Sequence, residues 1–411
     1  MKITGIIAEF NPLHNGHAYL LQKAREITDA DVIVVVLSGN FVQRGAPAIV
    51  SKYARAKAAL CCGADLILEL PVFAACASAE YFAAGAVRLL SDIGADAFVF
   101  GSESGELDRL LPLSALLGDE PEEYRKLLRA GLCAGKSFPA ARKAAVLSLL
   151  PDAAPLLDTP NNLLALEYLK ACRQRRHSLI PHTIARLGSS YHENEILAHS
   201  FPSASALRSL LQNQSIRLTK LLPYMPAAAV EILSAELARH TLVSEADLSN
   251  LLACHLLQCT SPAQLSLYAD MGADLANRVF ARRYDSILLP DFCADLKTKE
   301  LTFTRISRAL LHTILQITGE EQEEFRALLH SPYMRVLGMR KSARPLLARL
   351  RKESNAPLIL RPARAKILLS AQAHRFFMKD IASSELYRQL SFAHSHLPSP
   401  CEFAHEIICC E

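Results

Sequence analysis

Two histidines three residues apart, His14 and His17, bracket Gly16 in the string Phe10-Asn11-Pro12-Leu13-His14-Asn15-Gly16-His17, which runs into AYLLQKARE. Imidazoles so placed can donate directed hydrogen bonds to phosphate oxygens, and such donors act most strongly where charge builds up during displacement at phosphorus. The chain turns through Asn11-Pro12, and Gly16 would let backbone approach a ligand closely. The helix that follows would point free N–H groups and its positive dipole end at the same spot, an anion site at the carboxyl edge of a parallel sheet. Neither GxxxxGK[ST] nor GxGxxG occurs, so the two commonest phosphate-cradling loops are excluded. The competing reading of any single histidine here is a satisfied packing residue.

Other segments can join that edge. The loop Ser38-Gly39-Asn40-Phe41-Val42-Gln43-Arg44-Gly45-Ala46-Pro47 follows an apolar run and could wall a substrate pocket. Gly101-Ser102-Glu103 closes another run, and a glycine there admits an adenine or ribose, or is simply a turn. Pro160-Asn161-Asn162 begins a helix, where Asn161 is either a ligand contact or a plain N-cap. Arg186 stands near the end of a candidate strand, Thr183–Leu187. Ser203-Ala204-Ser205-Ala206-Leu207-Arg208 opens a further helix with small hydroxyl residues and an arginine.

The elements that must position these residues alternate. Ile3–Ala8, Val32–Ser38, Leu66–Leu70 and Ala97–Gly101 are apolar without alternation, as parallel strands covered on both faces are. Helical stretches separate them, which predicts βαβ units and a Rossmann-like parallel sheet, an α/β fold. From Glu122 to Arg176 the pattern is helical. Beyond about Gln214 strand signals nearly vanish, and 226–240, 245–258 and 308–330 carry apolar residues at three and four spacing. The expectation is a catalytic domain over 1–215 and a mainly α-helical domain over 216–411. A chain of 411 residues, 51% hydrophobic and 21% charged, has ample apolar surface for two such cores. No apolar stretch reaches the ~18 residues a membrane span needs, and Glu9 interrupts any signal peptide, so no membrane partner and a cytoplasmic location are expected. Eleven scattered cysteines without a CxxC pair indicate reduced thiols and no metal site.

The string around His14 and His17 resembles the HxGH signature of the nucleotidyltransferase superfamily, and Ser203–Arg208 resembles that superfamily's second signature. EFNPLHNGH, SGNFVQRG, GADLILELP, FGSES and the pair PNN and IARLG together resemble one family, the bacterial tRNA(Met) cytidine acetate ligases. The resemblance is dense over 1–210 and continues with lower specificity beyond. It implies that His14 and His17 are catalytic, contacting ATP phosphates and stabilising adenylyl transfer. It implies further that ATP is bound by Ile7, Ala8, Glu9, Phe10, Asn11, Pro12, Leu13, His14, Asn15, Gly16, His17, Ala18, Tyr19 and Leu20 and by Gly101, Asn161 and Arg186. Ser205 and Arg208 would grip phosphates, although Ser203 and Ser205 depart from the residues relatives often carry. The implied reaction activates acetate with ATP, with Mg2+ accompanying the nucleotide, and transfers acetyl to N4 of the wobble cytidine of elongator tRNA(Met).

An RNA surface is expected in the second half. Between Arg335 and Lys366 ten basic residues stand against the single acid Glu353, and Arg340, Lys341, Arg344 and Arg349 are the candidate tRNA contacts. The alternatives are a solvated helix face or an RNA site at the Lys170–Arg176 helix end. Two other functions stay open: a cofactor adenylyltransferase, which hardly needs a long basic tail, and a non-catalytic RNA-binding protein, which does not need intact histidines.

Overall fold

The computed structural model describes residues 1–175, 179–186, 203–212, 218–239, 242–285 and 288–411. Ten strands are described: β1 Ile3–Ala8, β2 Val32–Ser38, β3 Phe41–Val42, β4 Ala46–Pro47, β5 Leu66–Leu70, β6 Ala97–Ser102, β7 Ile180–Ala185, β8 Met334–Arg340, β9 Leu358–Ile359 and β10 Ile408–Cys410. The main sheet runs β10-β8-β5-β2-β1-β6-β7, with β9 also on β8. β5, β2, β1, β6 and β7 are mutually parallel, whereas β8 lies antiparallel to β5.

The pleat explains the unbroken apolar runs. Val32, Val34 and Val36 join one core cluster, while Ile33, Val35 and Leu37 join another on the opposite face. The helices Ala79–Asp92 and Pro160–Arg173 cover the first face, and Asn15–Thr28, Lys52–Cys61 and Ala204–Gln212 cover the second. After β5 the chain returns to the far side of β1, so the order reverses between β1 and β6. In a parallel sheet that reversal opens a crevice outside the carboxyl ends of the two strands. The strand parallel to β6 at the sheet's outer edge is Ile180–Ala185, earlier than the Thr183–Leu187 expected; Leu187 and Arg176 lie outside the described residues.

The second half is mainly helical among the described residues, and it also supplies strands to the sheet. Helices do occupy Ala227–Arg239, Ser249–Gln258, Phe303–Leu315 and Gly319–Arg326. The apolar faces of the last three, Leu252, Leu256, Leu310 and Leu311 among them, join the cluster on one face of the sheet, whereas Ala229, Val230 and Leu233 of the first join the cluster on the other. The chain then re-enters the sheet through β8, β9 and β10. The expected division near 215 falls in a segment outside the described residues. Met334–Arg340 reads as the start of a basic stretch, yet it is a buried strand: Arg335 is 2% exposed and pairs with Glu69 and Glu402. A buried, paired guanidinium is not open to RNA.

The loop between β2 and the helix Lys52–Cys61 makes a small hairpin, β3 against β4. Gly45 turns it at φ +79°, where a Cβ would stand 2.4 Å from the Arg308 backbone nitrogen. Only glycine fits that turn. Ser307 Oγ donates to the Gly45 carbonyl at 2.9 Å, holding the hairpin on the helix Phe303–Leu315.

Candidate functional site

At the carboxyl end of β1, Phe10 takes a positive φ of 47° with its ring buried, and the chain enters the helix at His14. The two histidines form a reciprocal cap. The Gly16 N–H donates to His14 Nδ1 at 3.1 Å, and the His14 N–H donates to His17 Nδ1 at 3.3 Å. Each Nδ1 therefore carries a lone pair, which fixes the proton of each neutral ring on Nε2. The rings stack at 3.7 Å between centroids, and Phe10 packs edge-on against His17.

The expected free N–H groups are absent from this helix start. Asn15 N donates to Tyr224 O, His17 N and Ala18 N to His14 O, and Gly16 N to the His14 ring. The Asn15 side chain donates to Pro223 O. The donors left to a ligand in this turn are the Nε2–H groups. Burial, then the Arg186 charge, pulls the His14 pKa down to about 3. Burial, His14 and Arg186 lower that of His17. Both rings are neutral donors until an anion arrives.

Across the crevice, Glu103 after β6 caps the helix Pro160–Arg173. One carboxylate oxygen accepts from Asn161 N at 3.1 Å and Asn161 Nδ2 at 2.6 Å, the other from Asn162 N at 2.7 Å. Asn161 is not the N-cap; Thr159 occupies that position. Its Oδ1 accepts from Arg186 Nη1 at 3.5 Å, which links Glu103, Asn161 and Arg186 in one chain at the ends of β6 and β7. Asn11 Oδ1 accepts from Ile49 N, and its carbonyl accepts from Arg208 Nη1 at 2.9 Å. Arg208 Nη2 also donates to Ser205 Oγ at 2.9 Å. Buried Arg55 donates to the carbonyls of Glu9, Ser38 and Gly39, tying the ends of β1 and β2 together.

These residues enclose two adjoining cavities. The first, about 480 Å³, lies between β1 and β6 and is lined by Ile7 through Asn11, Tyr19, Leu20, Phe100, Gly101, Asn161 and Arg186. The second, about 360 Å³, lies toward the hairpin and is lined by Val42, Pro47, Ser205, Ser244 and Glu245. His14, His17, Arg44, Arg186 and Arg208 border both. Of the ATP-contact residues expected from sequence, Pro12, Leu13, Asn15 and Ala18 do not line either cavity; Leu13 is buried core and Asn15 a brace. Glu103 and Glu245 join the site beyond the residues expected to form it. The Ser244-x-x-Asp247 capping pattern is the sequence signal that points toward the second. The four candidate RNA contacts lie elsewhere: Arg340 N bonds Asp65 O and Arg349 bonds Ile93 O, both at the amino edge of the sheet.

Residues 1–397 match the family described as HIGH Nucleotidyl Transferase. Proteins named tRNA(Met) cytidine acetate ligase from Acetivibrio thermocellus and Thermoanaerobacter pseudethanolicus are each 37% identical, over 88% of both chains and over 99% of this chain and 100% of the other. The chain belongs to the tRNA(Met) cytidine acetate ligase family. A crystal structure of Thermotoga maritima TmcAL superposes with TM-score 0.92 at 29% identity, covering 100% of this chain and 99% of that one. The same protein bound with alpha-thio ATP gives 0.91 over the same shares.

In this member of the tRNA(Met) cytidine acetate ligase family the neutral histidines make stability pH-dependent. The unfolded chain protonates His14 near 6.5 while the folded chain resists until about 3, so the unfolded state binds more protons between these values. Stability contributed by the neutral ring is full above 6.5 and is lost as pH falls toward 3, by about 1.4 kcal/mol per pH unit. His14→Asn, which keeps a capping side chain, is expected to flatten the decline of urea midpoints between pH 6.5 and 5. Parallel wild-type and variant curves would contradict it.

Proposed function

We propose that this chain activates acetate with ATP as acetyl-adenylate and then transfers acetyl to N4 of the wobble cytidine of elongator tRNA(Met). The observation that carries the reading is the pair of neutral Nε2–H donors held on the wall shared by two cavities, in a chain of this family. Fixed donors aimed where phosphate charge develops stabilise displacement at phosphorus without reorganising. ATP occupies the cavity at the β1/β6 reversal, with Gly101 and Asn161 beside its base and ribose and Arg186 and Arg208 toward its phosphates. The T. maritima relative's alpha-thio ATP complex supports a nucleotide of this class. Mg2+ arrives on the triphosphate oxygens, the usual mode for this cation. Among the described residues no helix is long and apolar enough to cross a membrane, and the reading needs only ATP, acetate and RNA as partners. Incubation with labelled acetate, ATP, magnesium and bulk tRNA, followed by nucleoside analysis, tests it: label in N4-acetylcytidine is expected, and label elsewhere or nowhere defeats it.

We also propose that Lys341 and Arg344, with Arg340 and Arg349 beside them, hold the tRNA away from the reacting base. The helix Asn15–Thr28 spans the sheet from His14 to Arg25, which pairs with Asp65, and at 1.5 Å per residue that separation is about 17 Å. Lys341 and Arg344 are exposed at that far edge. Reversing both charges is expected to reduce the salt slope of tRNA binding by about 0.7–0.9 for each phosphate no longer neutralised and to spare acetate-dependent ATP–pyrophosphate exchange. An unchanged slope in a filter-binding titration would move the RNA site to the carboxyl edge.

A further inference from the structure

The second cavity carries an inference that rests on the proposed acetyl transfer and specifies how the RNA base is received. Its volume of about 360 Å³ is roughly twelve times one water's share of the liquid. Acetate, with four heavy atoms, leaves most of it unfilled. Its wall includes the carboxylate of Glu245 and the guanidinium groups of Arg44 and Arg208, and its inner border is the histidine pair. Cytosine presents an N4–H2 donor beside the N3 and O2 acceptors, and a carboxylate flanked by guanidinium donors is the complement of that edge. Uracil presents an O4 acceptor and an N3–H donor, which meet the same groups with the wrong sign. We propose that this cavity receives the unstacked cytosine, and that Glu245 accepts a hydrogen bond from the N4 amino group and takes its proton during transfer.

The carboxylate is held for that task. Ser244 N and Oγ donate to Asp247 Oδ2 at 2.6 and 3.1 Å. His394 Nε2 meets Asp247 Oδ1 at 2.8 Å, and Val243 N reaches Ile49 O at 3.4 Å. Glu245 therefore sits on a turn braced from the long helix Ala371–Ser395 and from the loop before Lys52. Burial raises its carboxyl pKa against the pull of Arg208 and Arg44, which suits a group that must accept a proton. Glu9 is the other carboxylate on this wall, but one of its oxygens is already held by Gln43 N at 2.8 Å.

In the transfer step the N4 lone pair forms a bond to the acyl carbon. The bond from that carbon to the phosphate oxygen of AMP breaks, and its electron pair leaves with AMP. The N4 proton passes to the Glu245 carboxylate and later to water. Glu245→Gln keeps an acceptor oxygen but cannot take the proton, Glu245→Ala removes both, and Glu245→Asp keeps the carboxylate. Two assays read each full-length variant, ATP–pyrophosphate exchange for activation and labelled acetyl incorporation into tRNA for transfer. The expected result for Glu245→Gln is a transfer rate down by about 10²-fold, with exchange reduced far less, and partial recovery in Glu245→Asp. In competition binding, the preference for tRNA carrying cytidine over uridine at the wobble position should fall about tenfold in Glu245→Ala. Equal losses in both assays across the Gln and Asp variants, undiminished transfer in Glu245→Gln, or a transfer-selective loss in Glu9→Gln instead would each overturn the proposal. A wild-type chain that forms no acetylcytidine overturns the proposed function first, and this inference with it.

Discussion

His14→Ala and His17→Ala are each expected to lower acetate-dependent ATP–pyrophosphate exchange by about 10²-fold or more, since each deletes a fixed donor facing developing phosphate charge. The reciprocal cap adds a second effect at each position. His17→Ala frees the His14 N–H, and His14→Ala frees the Gly16 N–H, at a cost of about 1 kcal/mol in helix stability. His14→Asn separates the two, restoring a capping acceptor without the Nε2–H donor; it should recover stability and leave exchange low. Circular dichroism melts beside the exchange assay provide the comparison. Near-wild-type exchange in both alanine variants would remove the histidines from the chemistry.

The second large effect is on stability. Lys52, Glu69, Arg335 and Glu402 form a buried quartet of two cations and two anions, none more than 5% exposed at its side chain. Lys52 Nζ lies 2.7 Å from Glu69 and 2.5 Å from Glu402 and donates to Ser384 Oγ at 2.8 Å. Burial works against ionising Glu402, but Lys52 and Arg335 outweigh it and bring its pKa to about 2. Glu402→Gln leaves one buried positive charge without its counterpart, and removing one partner of such a set costs about 3–5 kcal/mol, a large share of the ~5–15 kcal/mol that a domain holds. Lys52→Met in the same chain restores neutrality, so the double variant should lose less than the two single losses added together. Additive losses in a urea double-mutant cycle would show that the four groups do not act as a unit.

Much of this arrangement is legible in the sequence, for definable reasons. β1, β2, β5 and β6 announce themselves because strands buried on both faces must be apolar at every position. The helix start at His14 is legible from its string, and the edge it occupies from the βαβ order. What the pattern conceals is where charge goes. Arg335 and Lys52 look like surface cations until Glu69 and Glu402, distant in sequence, are brought to them. Met334–Arg340 is therefore masked by its own terminal arginines, although the apolar VLGM at its centre is the remaining trace. The helix-terminus donors differ from expectation for a reason that is partly local: a histidine ring can cap its own helix, and the two rings take the His14 and Gly16 N–H groups while Tyr224 O takes that of Asn15. Glu245 reaches the site through tertiary contacts of its turn, at Ile49 and His394 among them.

The position of Glu402 in the chain also governs the order in which the protein can be finished during synthesis. The loop that walls the second cavity is pinned by Tyr387, whose hydroxyl donates to the Ala48 carbonyl, and by Ser384 and Glu402 at Lys52. A nascent chain that has released β1 to β7 from the ribosome already carries both histidines, yet its β5 edge lacks β8 and its Lys52 lacks half its counter-charge. Such an edge is open to stray pairing. Premature termination between β7 and β8 thus yields a polypeptide with the complete histidine string and no settled acceptor cavity, a substrate for chaperones and proteases rather than a smaller working enzyme.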